Sequence, residues 1–212
     1  MRYIFTMLWL LLISSSVWAA DENQYFDRML EGFSNSNGFT CQFIQTIDYA
    51  DDSSQQYRGE LAIRQPNMFR WQYHQPYEQL YVSAGKGIWH YEEELMQAEW
   101  LAQLESVDPV VMRLLNGRID HEEIDRLTVQ HNGEDGVIVY NVRLKKGPEL
   151  WMAIEKHSSE LLWIESHDTL GNKNRMRFEQ LEKRTPEPAL FQFTPPEGVD
   201  VIGIGIPGEI KQ

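Results

Sequence analysis

Side chains that commonly perform catalysis or bind metals are few in this 212-residue chain, and they are scattered along it. The one cysteine, Cys41, lies in an alternating apolar stretch, which indicates a small buried hydrophobic side chain rather than a nucleophile. The sequence "HEE" at 121–123 lacks the second histidine of a zinc-protease motif. The six histidines, at 74, 90, 121, 131, 157 and 167, show no metal-binding spacing. We therefore expect no enzyme activity, no metal and no cofactor.

The stretch "RQPNMFRWQY" at 64–73 indicates a different chemistry, the burial of apolar surface. From Met68 onward, one side of the predicted strand carries Phe69, Trp71 and Tyr73, and the other side is more polar. A face of this kind forms ordinary core beneath a second layer, or it lines a cavity for an apolar ligand. The residue pattern alone leaves both interpretations open.

The N-terminal segment 1–19 is typical of a secretory signal peptide. One positive charge at Arg2 precedes an apolar run, and Val17 and Ala19 match the small-residue cleavage pattern. The apolar run is shorter than the roughly 20 residues that span a bilayer, so we expect cleavage after Ala19 and no stable membrane anchor. We interpret 20–212 as one domain.

The chain is strongly acidic, with a formal net charge of −13 at pH 7. A phosphate backbone would be repelled, which argues against a nucleic-acid partner. An acidic surface favours a soluble monomer or a basic protein partner. With one cysteine there is no internal disulfide, so stability must come from a hydrophobic core.

Two helices and a series of strands are predicted. Residues 21–33 carry apolar side chains at helical spacing, and Asp21 and Glu22 suit a first helical turn. A second, short helix is expected from Pro109, capped by Asp108 and ended by "NG" at 116–117. Elsewhere the period is two, which predicts about eleven strands in an antiparallel meander. We interpret the proline-containing tail from 185 as irregular.

Several motifs resemble the LolA family, the periplasmic carriers of outer-membrane lipoproteins. Residues 59–91 read "GELAIRQPNMFRWQYHQPYEQLYVSAGKGIWHY" and are similar to the family pattern of "RPN", "FRW", "QP", "VSDGK" and "LWFY". An early "F-x-x-x-F-x-Q" begins at Phe39, and the tail carries "FTPPEGV" at 193–199. The matches occur in the family's order over most of the chain, and their combination is specific.

The resemblance implies a mainly β fold with helices (α+β): an unclosed antiparallel β-barrel with a helical lid and plug. It implies a periplasmic chaperone of a Gram-negative bacterium that holds the acyl chains of lipoproteins in an apolar cavity. It also implies two partners, an inner-membrane ABC complex like LolCDE that loads the carrier and an outer-membrane receptor like LolB that unloads it. LolB is itself a lipoprotein, and the predicted cleavage site here has no cysteine, which favours the soluble carrier.

The resemblance also assigns site residues. We expect Met112 and Leu115 to belong to the lid. The expected cavity wall is formed by Phe39, Phe43, Leu61, Ile63, Phe69, Trp71, Leu80 and Val82.

One position departs from the family pattern. The arginine that usually precedes the proline, and that is thought to hold the lid by hydrogen bonds, is replaced here by Gln65. Arg64 is one residue earlier and would point to the other side of a strand, so it cannot simply substitute. We expect Gln65 to bond backbone carbonyls of the lid without a charge, and therefore more weakly.

Two other functions stay open. A LolA-like relative could carry another lipid or sense mislocalised lipoprotein, keeping the cavity and changing the partners. A periplasmic hydrolase would need convergent polar groups in the cavity, and the sequence offers no obvious set.

Overall fold

Within the part of the chain that the structure describes, one twelve-stranded sheet forms the framework. The computed structural model describes residues 17–101, 109–130 and 135–203. Helix α1 spans Val17–Ser34 and helix α2 spans Pro109–Leu115, between the two halves of the sheet. The strands are β1 Gly38–Asp48, β2 Ser54–Arg64, β3 Met68–Gln75, β4 Gln79–Ala84, β5 Ile88–Glu92, β6 Gln97–Leu101, β7 Ile124–Gln130, β8 Val137–Leu144, β9 Glu149–Glu155, β10 Leu161–His167, β11 Lys173–Glu182 and β12 Asp200–Gly203.

The strand order confirms the antiparallel meander. Within β1 to β6 and within β7 to β11, strands that are consecutive in the chain are also neighbours in the sheet. The pairing of β1 with β11 joins these two halves. The edge strands are β7 and β12, and these two do not pair with each other among the described residues. The sheet is therefore an unclosed version of a barrel.

The C-terminal tail contains a strand that the sequence pattern did not predict. Strand β12 pairs with β6, and this pairing is parallel, unlike the others. Its residues are all exposed, so no alternation of buried and exposed side chains marks it as a strand. A short 3₁₀ helix at Pro188–Phe191 precedes it, so the tail is only partly irregular.

Helix α1 begins before the position predicted from the sequence. The helix starts at Val17 rather than at residue 21, so Asp21 and Glu22 do not occupy its first turn. Residues 1–16 and Asp108 lie outside the described residues. Among the described helices, none is long and apolar enough to cross a membrane.

The two faces of the sheet bury two separate hydrophobic clusters. The face packed against α1 and α2, which we call the helix face, carries the larger cluster. The face packed against the C-terminal segment 188–199, which we call the tail face, carries the smaller one. Successive side chains of a strand point in opposite directions, so neighbouring residues can belong to different clusters.

Candidate functional site

The helix face is built from residues that pair across β1, β2 and β3. Phe39 lies opposite Ile63, which lies opposite Phe69, so these three side chains form one row. The next row runs from Cys41 through Leu61 to Trp71. The pairing register brings together six of the predicted wall residues, all at most 8% exposed: Phe39, Phe43, Leu61, Ile63, Phe69 and Trp71.

Leu80 and Val82 do not belong to this wall. They are opposite Gln72 and Arg70, on the polar side of β3, and they lie in the tail-face cluster. There they pack with Trp89, Ala98 and Phe191, among others. The expectation that these two residues line the wall is therefore wrong; both faces of β4 are buried, so burial alone does not show which of them meets the helices. The buried β4 residues on the helix-face side are Tyr81, opposite Trp71, and Ser83, opposite Phe69.

Helices α1 and α2 cover the helix face in this structure. Of the two predicted lid residues, Leu115 is fully buried in the cluster, and Met112 is partly buried against it. Leu114, which was not assigned to the lid, is also fully buried. Helix α1 contributes its own apolar stripe, formed by Phe26, Met29, Leu30 and Phe33. The wall is therefore shielded from solvent by side chains of both helices.

Gln65 joins the C-terminal ends of the two helices. Its side-chain Nε2 donates to the carbonyl of Phe33 at 2.8 Å, in the last turn of α1. The same nitrogen donates to the carbonyl of Asn116 at 3.0 Å, directly after α2. The two carbonyls are backbone groups that a helix end leaves without intrahelical partners. This is the bonding expected of Gln65 from the sequence, and it uses no charge.

Arg64 points elsewhere, as its position in the strand predicts. Its Nη1 donates to the carbonyl of Pro186 at 2.8 Å, just before the C-terminal segment. Gly117 further shows how closely the helices approach one another. A Cβ at Gly117, where φ is +64°, would lie 2.6 Å from the Cα of Ser34, so only glycine fits this contact.

The far half of the sheet also binds α1. The hydroxyl of Tyr140 on β8 donates to the backbone carbonyl of Glu22, in the N-terminal part of α1. Burial raises the pKa of Tyr140, so this hydroxyl stays protonated and remains a donor. Helix α1 is thus held at two points, by Tyr140 at Glu22 and by Gln65 at its C-terminal end.

Polar groups on the helix face are few and mostly paired. The hydroxyl of Tyr73 donates to Gln45 Oε1 at 2.9 Å, and Gln45 Nε2 donates to Asn174 Oδ1 at 3.0 Å. Burial raises the pKa of Tyr73. The indole nitrogen of Trp71, by contrast, is buried and has no hydrogen-bond partner among the described residues.

The described histidines do not converge on one place. His74, His121 and His167 each approach a carboxylate, from Glu78, Asp27 and Glu165 respectively. His90 stacks on Tyr81 with ring centroids 4.2 Å apart, and burial lowers its pKa. Within the described residues, no group of three or more metal-binding side chains comes together. His131 lies outside them. The helix face itself offers apolar binding surface.

Cys41 is buried, and burial raises the pKa of its thiol from 9.0 to about 12. Above pH 9 the unfolded chain loses this proton while the folded chain retains it, so the folded state binds more protons. We expect the free energy of unfolding to fall as pH rises from about 9 toward 12, and to fall less steeply in a Cys41→Val variant. Urea denaturation over that pH range measures the difference.

The same burial predicts that iodoacetamide labels Cys41 only after denaturation. The mass of the intact protein after labelling, with and without urea, provides the check. Rapid labelling of the native protein at neutral pH would contradict the buried placement of the thiol.

Comparison with known proteins assigns the chain to a family of lipid-handling carriers. A family model described as outer membrane lipoprotein carrier protein LolA matches residues 34–194. The outer-membrane lipoprotein carrier protein of Chromobacterium violaceum is 30% identical over 207 residues, covering 95% of this chain and 98% of that protein. Its counterpart in Photobacterium profundum is 27% identical over 194 residues, covering 90% and 93%. The chain belongs to the LolA family.

A solved structure supports the fold. The crystal structure of an uncharacterized conserved protein from Thermus thermophilus superposes with a TM-score of 0.52. It is 11% identical in sequence, and the match covers 86% of this chain and 99% of that one. At 11% sequence identity, this similarity shows a shared fold and does not show a shared function.

Proposed function

We propose that this protein carries outer-membrane lipoproteins through the periplasm, with their acyl chains held against the helix face. The observation that carries the proposal is a wall of six large apolar residues covered by two helices that one glutamine side chain bonds together. Membership of the LolA family supports the same function. No catalytic step is part of the proposal.

The energetics explain why a carrier needs such a wall. Each buried methylene group contributes about 0.8 kcal/mol, so one long acyl chain holds a lipoprotein to its membrane by roughly ten kcal/mol. An aqueous crossing is possible only if apolar protein surface replaces the lipid around that chain. The rows of aromatic and branched side chains on β1 to β3 are suited to this.

Loading then requires the helices to move. The wall residues are at most 8% exposed while α1 and α2 cover them, so the covered form leaves an acyl chain no open wall to pack against. An acyl chain must displace apolar helix side chains and take their place. The binding free energy is therefore reduced by the cost of uncovering the wall.

We further propose the two partners that the family resemblance implies. An ABC complex like LolCDE in the inner membrane would load the carrier, and a receptor like LolB at the outer membrane would accept the cargo. The net charge of −13 would guide docking to basic partner surfaces. Export would depend on segment 1–19 as a signal peptide cleaved after Ala19, leaving a soluble monomer.

Gln65 is proposed to be the latch between the helices. Its replacement by alanine leaves the carbonyl of Asn116 without this donor and the carbonyl of Phe33 with its bonds from Ser36. The lost bonds together cost about 1–2 kcal/mol. We expect a Gln65→Ala variant to uncover the wall roughly tenfold more often or more. Hydrogen exchange of the amides in α2 measures the opening, which should accelerate while exchange in β1 and β2 is unchanged.

The neighbouring arginine provides the control. An Arg64→Ala variant loses a bond to Pro186 on the other side of the strand and should leave exchange in α2 unchanged. A Gln65→Arg variant adds charge to the latch, so it should stabilise the covered form and lower the apparent affinity for acyl chains. An affinity equal to that of the parent would refute the latch proposal.

Native mass spectrometry tests the function as a whole. The mature protein would be mixed with inner-membrane vesicles that display a triacylated lipoprotein and contain the energised ABC loader. A one-to-one complex of carrier and lipoprotein in the soluble fraction is expected, and it should be lost when ATP is omitted. Bound phospholipid without transfer of lipoprotein would instead favour a general lipid-binding protein.

A further inference from the structure

Trp71 holds an unpaired hydrogen-bond donor in the middle of the apolar wall. Its side chain is fully buried, and its Nε1 has no acceptor among the described residues. The ring packs between other aromatic groups, with Phe43 at 5.6 Å in an edge-to-face contact and Tyr73 at 6.3 Å in a stacked contact.

Buried donors of this kind are rare, because leaving one unpaired costs free energy. Phenylalanine at this position would preserve most of the apolar surface without that cost. The adjacent Tyr73 shows the usual solution, since its hydroxyl is paired with Gln45. An acceptor that arrives with a ligand would explain why an indole is present here.

The surroundings define the acceptor. The cluster around Trp71 is made of apolar and aromatic side chains, and none of its described members carries a formal charge at neutral pH. A carboxylate or phosphate would lose its hydration there without gaining a counter-ion. The acceptor must therefore be uncharged and must belong to an apolar ligand. The carbonyl of an ester that links a long acyl chain to glycerol has both properties.

We propose that the indole N–H of Trp71 donates a hydrogen bond to an ester carbonyl of the bound lipid, so that the carrier distinguishes ester-linked acyl chains from ether-linked alkyl chains. This inference rests on the proposed function. It adds one polar contact to the binding of the acyl chains. Because the ester carbonyl lies a fixed number of bonds from the end of its acyl chain, this contact sets how far the acyl chain extends along the wall.

The test compares two lipids with two variants. The lipids are a diacylglyceryl-cysteine peptide with ester-linked palmitoyl chains and its analogue with ether-linked hexadecyl chains. The variants are Trp71→Phe and, as a matched control, Trp89→Phe, which changes a buried tryptophan on the tail face. Affinities would be measured by competition with a fluorescent fatty acid.

We expect the wild type to bind the ester lipid roughly two- to tenfold more tightly than the ether lipid. Trp71→Phe should remove that preference by weakening ester binding alone, and Trp89→Phe should keep it. Equal losses for both lipids, or no loss for either, would overturn the inference and leave the carrier function intact. If the wild type binds neither lipid, the proposed function fails, and this inference fails with it.

A second measurement separates this role from a purely structural one. The ¹⁵N–¹H signal of the Trp71 indole should shift downfield with the ester lipid and not with the ether lipid. An identical shift with both lipids would contradict the hydrogen bond.

Discussion

A Phe69→Asp variant is expected to lose acyl-chain binding by at least about 100-fold. Phe69 is buried on the helix face, in a row with Phe39 and Ile63. A carboxylate at this position would be desolvated by any acyl chain that packed on the wall, and no described member of the cluster could pair with its charge. Binding of a fluorescent fatty acid, titrated against each variant, measures the loss.

The residue before Phe69 supplies the control. Met68 is half-buried on the same strand but belongs to the tail face. A Met68→Asp variant should bind the fatty acid within a few-fold of wild type, although it places the same charge one residue away. Circular dichroism of both variants would establish that they are folded. Equal loss in the two folded variants would mean that the helix face is not the binding surface.

A Leu114→Ala variant is expected to bind acyl chains more tightly, although the unloaded protein becomes less stable. Leu114 on α2 is fully buried against the wall, and truncating such a leucine costs about 2–5 kcal/mol. This cost applies to the covered form and not to a form in which α2 has already moved away. The wall should therefore be uncovered more often, and the apparent affinity should rise roughly tenfold or more.

Leu80→Ala makes the same chemical change on the tail face. Leu80 is 6% exposed, so its truncation should also lower the free energy of unfolding. It should not change acyl-chain affinity or hydrogen exchange in α2, because it belongs to the cluster on the opposite face. If Leu114→Ala weakened binding as much as stability, α2 would be part of the binding surface rather than a competitor for it.

Much of the fold could be predicted from residue patterns because those patterns have a direct physical cause. Alternation in β1 and β3 arises from one buried face, so the inward positions of Phe43 and Trp71 followed from the sequence. The Asn-Gly pair that ends α2 marked a helix stop, and the structure adds that Gly117 also permits close contact with α1. Gln65 was identified because its position differed from a family pattern.

Other features depend on contacts that one strand does not reveal. Strand β4 is buried on both sides, so its alternation could not tell which face meets the helices, and Leu80 and Val82 were assigned to the wrong one. The register of β4 against β3 shows that Leu80 and Val82 point to the tail face. That register depends on both strands and cannot be seen in the sequence of β4 alone. The unpaired N–H of Trp71 could not be foreseen either, because it depends on which acceptors lie around the ring.

The central claim is that acyl chains occupy the helix face, and photo-crosslinking tests it most directly. A lipoprotein carrying a diazirine in one acyl chain would be loaded onto the mature protein, irradiated, digested and mapped by mass spectrometry. We predict crosslinks to the wall on β1 to β3, at residues such as Phe43 and Trp71. Crosslinks confined to the tail face, around Leu80 and Val82, would contradict the account.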